Sequence, residues 1–154
     1  ARLREQQAKI AEQIPNTYMN VLIDCGEFDN IHPTDKLTVG DRMAALCLEH
    51  VYGRPCHADS PKIQTAAGED AQVRVTFSGQ ALQVKGKEIT LFELAGADEA
   101  YYPAQAELCG EHEVIVHSAE VPAPQYIRYA YTNFGKVTLF DSYGLPVAPF
   151  RRGL

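Results

Sequence analysis

Gln72-Val73-Arg74-Val75-Thr76-Phe77 alternates apolar with polar side chains. A side-chain period of two places Val73, Val75 and Phe77 on one face of an extended strand, with Gln72, Arg74 and Thr76 on the other. From Ser60 onward no helical period interrupts this pattern. Short strand candidates recur at Leu82 to Lys85, Ile89 to Leu94, Gln105 to Leu108, Glu113 to His117, Tyr126 to Tyr131 and Val137 to Asp141, parted by Gly, Pro, Asn or Asp. Short half-buried strands with regular turn signals predict an antiparallel β-sandwich-like domain over residues 58–154.

Upstream of Gly53 the period changes. Arg2 to Gln13 reads as a helix, with Leu3, Ile10 and Ile14 at helical spacing and Pro15 ending the run. Tyr18 to Ile23 has the length and apolarity of a buried strand. Gly26, Asn30 and Pro33 make Asp24 to Asp35 a loop. A second helix follows, with Thr38 and Asp41 spaced as a capping box, an apolar stripe of Val39, Met43, Leu46, Cys47 and Val51, and Gly53 as its stop. Residues 1–57 thus form an α/β unit. One helix-strand-helix piece cannot cover both faces of a parallel sheet, so this unit is expected to belong to a longer gene product or to pair with another chain. No internal repeat or low-complexity linker separates the two parts, which are expected to pack together.

Composition narrows the function. Among 154 residues, 45% are hydrophobic and 22% charged, the balance of a folded globular protein. Twenty acidic against 14 basic side chains give a formal charge of −6, which disfavours nucleic acid as a partner. No stretch approaches the roughly 20 apolar residues of a membrane-spanning helix, so no membrane partner is expected. The polar start, Ala1 to Gln7, lacks the apolar middle of a signal peptide; any such signal is expected to have been removed or to lie upstream. Cys25, Cys47, Cys56 and Cys109 show no zinc-ligand spacing, so no metal is expected. They are either buried free thiols or include an oxidised pair, Cys47 with Cys56 being nearest in sequence. No Asn-x-Ser/Thr sequon is present.

The chemistry gathers at Asp29-Asn30-Ile31-His32-Pro33. An aspartate three residues before a histidine, just past the carboxyl end of a predicted strand, can bring both side chains together on one tight loop. Asp29 would then accept the Nδ1 proton of His32 and leave Nε2 as a base for a serine hydroxyl. A surface histidine beside an acid is the plainer account of the spacing. His50, at the end of a helix, reads as a cap favoured by the helix dipole, while His57, His112 and His117 read as surface residues. Tyr101, Tyr102, Tyr126, Tyr129, Tyr131 and Phe134 offer either sugar-stacking rings or packing ones, with packing favoured for Tyr129 and Tyr131. The closing Phe150-Arg151-Arg152 is a solvated tail, an interdomain clamp, or an anion site.

Asp29-Asn30-Ile31-His32-Pro33, Lys36, Val39-Gly40-Asp41-Arg42-Met43-Ala44 and Tyr52-Gly53, followed in order by Phe92-Glu93-Leu94-Ala95-Gly96-Ala97-Asp98, Tyr102-Pro103-Ala104, Ile127-Arg128-Tyr129-Ala130-Tyr131 and Gly144-Leu145-Pro146-Val147-Ala148-Pro149-Phe150-Arg151, resemble the C-terminal part of the sialate O-acetylesterase family. The resemblance covers nearly the whole chain. It implies the C-terminal remnant of an SGNH-type hydrolase α/β domain over residues 1–57, then an antiparallel β-domain, with acetyl esters on sugars as substrate. His32 would be the general base and Asp29 its orienting acid, with no cofactor. The family's nucleophile sits in a Gly-x-Ser block, and its oxyanion-hole Gly and Asn in later blocks, all upstream of the matched part and none present here. Ser60, Ser78, Ser118 and Ser142 lie in or at the edge of the β-part without a nucleophile elbow. The chain alone is therefore expected to be inactive, with serine and oxyanion donors supplied by an upstream polypeptide. The resemblance further implies secretion or a periplasmic location, lysosomal in a eukaryote. It leaves open whether the sugar is sialic acid or a plant polysaccharide unit such as acetylated xylose. From another class comes a non-catalytic β-sandwich module that binds carbohydrate or supports a partner.

Overall fold

The computed structural model describes residues 1–154. Two helices, α1 (Arg2–Gln13) and α2 (Leu37–His50), precede ten strands. These are β1 (Ile63–Glu69), β2 (Gln72–Phe77), β3 (Leu82–Val84), β4 (Phe92–Ala95), β5 (Tyr101–Pro103), β6 (Gln105–Leu108), β7 (Glu113–His117), β8 (Tyr126–Tyr129), β9 (Leu139–Asp141) and β10 (Phe150–Gly153). Every pairing is antiparallel: one sheet runs β1-β2-β7-β6, a second β10-β8-β4-β5, and β3 pairs with β9.

The alternation of β2 has the expected consequence. Val73 lies opposite Val116 and Val75 opposite Val114 in the first sheet, and all four are fully buried. The second sheet turns Phe92, Leu94, Ile127, Tyr129 and Phe150 to the same core, with Phe92 opposite Tyr129 and Leu94 opposite Ile127. Phe77 and Phe150 meet across the core with ring centroids 6.1 Å apart. Two sheets closing over one apolar layer is the sandwich arrangement.

Positive φ at Leu91 and Ala130 breaks the extended run, so that Ile89 to Leu94 becomes β4, starting at Phe92, and Tyr126 to Tyr131 becomes β8, ending at Tyr129; Val137 to Asp141 shortens to β9. Three strands had no signal. β1 is a sheet-edge strand with most side chains exposed, so it needs no alternation. β5 is three residues long and ends in proline. β10 carries Arg151 and Arg152 on an edge, where only Phe150 enters the core.

Tyr18 to Ile23, expected as a buried strand, pairs with no strand, and a turn already begins at Ile23, where the Cys25 N–H donates to the Leu22 carbonyl at 3.1 Å. Val21 and Ile23 nevertheless join the β core. Hydrogen bonds to α2 hold the segment instead of a ladder: Arg42 of the helix donates to the Val21 carbonyl at 2.9 Å, and Asn20 Nδ2 of the segment donates to the Val39 carbonyl at 3.3 Å. The capping box of Thr38 and Asp41 is corrected as well. The helix begins at Leu37, and Asp35 Oδ1 accepts the Thr38 N–H at 3.0 Å. No α1 residue is buried and Leu46 alone is buried in α2, so the helical apolar stripes exist but lie largely uncovered. Neither helix is long and apolar enough to cross a membrane.

Candidate active site

The loop from Asp24 to Asp35 is pinned at both ends. At its start, Val21, Ile23 and Cys25 are buried. Arg42 of α2 grips both oxygens of the Asp24 carboxylate, at 2.6 and 2.7 Å, in the two-pronged geometry that guanidinium and carboxylate share. Donating hydrogen bonds to Asp24 raises the Arg42 pKa against the cost of its partial burial. Cys25 Sγ lies 3.5 Å from the same guanidinium. Burial, and then the Asp24 charge, push this thiol up to about 11. A thiol protonated at neutral pH is no nucleophile.

Glu27 closes the other end. Its Oε1 accepts the Thr34 N–H and the Thr34 hydroxyl, each at 2.7 Å, and its Oε2 accepts Asn30 Nδ2 at 3.0 Å. These donors, the Thr34 N–H foremost, hold the Glu27 carboxyl below the usual carboxylate range. Asp35, which caps α2, is lowered in the same way by the Thr38 N–H.

Between these pins the loop presents Asp29 and His32, both exposed. The His32 N–H donates to Asn30 Oδ1 at 2.9 Å, an Asx turn that sets the local path of the chain. No hydrogen bond or ion pair joins the Asp29 carboxylate to the His32 imidazole, and neither side chain is engaged elsewhere. Phe28 and Ile31 beside them are 82% and 90% exposed. The chemistry available is that of an accessible imidazole with a carboxylate on the same short loop. Phe28 also touches the β-region, meeting Phe134 edge-on at 5.7 Å.

The remaining conspicuous residues fall elsewhere. Ser118 donates to the Pro103 carbonyl at 2.8 Å, Ser78 shares hydrogen bonds with the Lys62 backbone, and Ser60 is buried. No serine hydroxyl bonds a histidine. His50 in the last turn of α2 stacks on Tyr18 at 4.0 Å, its Nε2 3.0 Å from Asp59 Oδ2 but out of line for a hydrogen bond. His57 stacks on Tyr143, and His117 bonds Gln105. No three His, Cys, Asp or Glu side chains gather as a metal site would need. All four cysteines are free; Cys56 Sγ lies 3.2 Å from the Ala45 carbonyl. Tyr129 is core, whereas Tyr101 and Tyr131 flank Arg128, which is paired with Glu93. Arg151 bonds Glu5 of α1 at 3.2 Å, the clamp arrangement. Sequence reasoning missed Glu27, Asp24 and the grip of Arg42. Glu27 had one usable signal: an acid followed at short spacing by Asn30 and Thr34, whose donors can fold back on it.

Among solved structures, the chain superposes on the crystal structure of XAC1771, a carbohydrate acetylesterase from Xanthomonas citri, with a TM-score of 0.91 and 36% sequence identity over 97% of its own length. This chain is similar to part of a carbohydrate acetylesterase. It spans 35% of the length of that protein. No protein-family model matches it, and no curated protein does. The likeness runs through the loop region and the β-sandwich alike, since almost all of the chain is superposed.

Proposed function

We propose that this chain is the base-bearing part of a carbohydrate O-acetylesterase, sialate 9-O-acetylesterase-like in its loop sequence, in which residues 1–57 complete an SGNH-type α/β domain and residues 58–154 form its β-domain. The single observation that carries the proposal is the superposition on XAC1771 at 36% identity. Two features support it further. A pinned loop exposes Asp29 and His32, and eleven of the sixteen exposed large apolar side chains lie within residues 3–52. Such faces suit burial against the rest of an α/β layer.

In the proposed reaction another polypeptide segment brings a serine and oxyanion donors to the loop. Asp29 turns to the Nδ1–H of His32, and Nε2 takes the serine proton as its oxygen attacks the acetyl carbonyl. The same proton then passes to the departing sugar hydroxyl. Water hydrolyses the acetyl-serine by the reverse relay. No cofactor enters. Alone, the chain is inert, because the base has no hydroxyl to activate. An acetylated glycan as substrate fits a secreted or periplasmic setting, or a lysosomal one in a eukaryote.

Co-expression with a polypeptide bearing the Gly-x-Ser block, followed by acetate release from a 9-O-acetylated sialoside and from an acetylated xylo-oligosaccharide, tests the proposal and ranks the sugars. Hydrolysis of either by the complex, and by neither piece alone, is the expected result. A folded complex inert on both would overturn it. The unbonded state of Asp29 and His32 favours a second reading, a non-catalytic carbohydrate-binding or interaction module, and the inert complex is what that reading expects.

A further inference from the structure

A spacious hollow lies away from Asp29 and His32. A groove of about 670 Å³ opens where the segment 87–93, the start of β6 and Tyr131-Thr132 converge. That volume is in the range of small-ligand sites. Its apolar lining includes Leu91, Ala104 and Ala106. Leu91 takes φ +68, a left-handed conformation that a leucine rarely adopts. The Ala130 N–H fixes it by donating to the Leu91 carbonyl at 2.9 Å.

The rim is polar and largely uncommitted. Glu88 and Glu107 are exposed, and neither carboxylate enters a side-chain hydrogen bond or an ion pair. Gln105 spends its Oε1 on His117 and keeps its amide N–H groups. Thr132 donates to the Phe134 carbonyl at 2.9 Å and can still accept. Glu93 is neutralised by the two-pronged grip of Arg128, so Glu88 and Glu107 stand against Lys87 alone. An excess of carboxylate repels an anionic ligand. Carboxylate acceptors beside an apolar lining match the hydroxyls and C–H faces of a sugar.

A chain of contacts links the groove to the candidate active loop. Thr132 lines its end and holds Phe134, and Phe134 packs on Phe28, the neighbour of Asp29. We propose that this groove is a binding subsite for uncharged sugar units, holding a glycan chain whose acetylated unit is presented at the Asp29–His32 loop. The placement of the acetyl group rests on the esterase proposal; the affinity of the groove does not.

NMR titration of the ¹⁵N-labelled chain with cellotetraose, an uncharged β-linked tetrasaccharide, tests the subsite without any need for hydrolysis. The amides of Glu88, Leu91, Gln105, Glu107 and Thr132 should shift. Affinity should fall about tenfold in Glu88→Ala/Glu107→Ala, for the loss of two hydrogen bonds, while the spectrum of that exposed-site variant stays that of a folded chain. Groove amides unmoved at sugar concentrations on the order of 10 mM, an unchanged affinity in the variant, or a stronger response to sialyllactose or spermidine would overturn it. An inert reconstituted complex leaves this subsite standing. A restored esterase with a silent groove removes the subsite alone.

Discussion

Residues 58–154 and residues 1–57 carry equally clear apolar periods, yet only the first set is covered. In the β-sandwich, Val73, Val75, Leu94, Val114, Val116, Ile127 and Tyr129 lose all contact with solvent, because each alternating face finds a sheet opposite. In the helical part the same kind of pattern leaves Leu3 72%, Leu37 75% and Val51 67% exposed. An apolar period therefore states which face requires cover, and only the partner element decides whether the cover is there. Val21 and Ile23 belong to both regions: they precede the loop, yet are buried with the sandwich.

The sharpest way to break this contrast is to truncate one side chain of each kind. Leu94→Ala, in a central strand, should cost about 2–5 kcal/mol, read as a lower denaturation midpoint. Val51→Ser should change the stability of the chain by no more than about 0.5 kcal/mol. Equal losses would mean that the helical face is covered after all.

A smaller effect separates the loop from the core. Arg42→Ala leaves Asp24 unpaired where the two side chains are 10% and 18% exposed, a loss of about 2 kcal/mol. It should appear first as faster amide exchange across residues 24–35, ahead of the sandwich. Uniform acceleration in both regions would contradict the local role.

Acidity sharpens the same contrast. The Glu27 carboxyl lies below its ordinary value, chiefly because of the Thr34 N–H. A depressed folded value means that its contribution is complete above the unfolded carboxylate pKa of about 4.3 and is lost as pH falls through the lower folded value. Loop amides should therefore lose protection in acid before those of β2 and β7, and Glu27→Gln should remove that dependence. The smallest expected change belongs to the clamp: Arg151→Ala, at a contact 44% exposed on the arginine side, should cost less than about 1 kcal/mol and loosen α1 alone.

The β-region was readable because a period of two survives in β2 and β7, whose bounds, like those of β6, match the sequence expectation. It failed at β1 and β10, edge strands whose exposed side chains need no pattern. Both helices were legible from spacing, but the start of α2 was not, since Asp35 reaches three residues forward to cap it. Asp29 and His32 stood out by their types. Of the residues that shape their loop, Glu27 had Asn30 and Thr34 at short spacing as a signal, whereas Asp24 and Arg42 meet across 18 residues of chain, a contact that no local pattern announces.

The imidazole at position 32 is the centre of the proposed chemistry. In a complex with the serine-bearing polypeptide, kcat for acetate release should be compared between the unaltered chain and His32→Ala. A drop of about 10⁴-fold or more, with complex formation unchanged, is the expected result. Retention of kcat within about tenfold, a barrier change of only about 1.4 kcal/mol, would show that His32 is not the base.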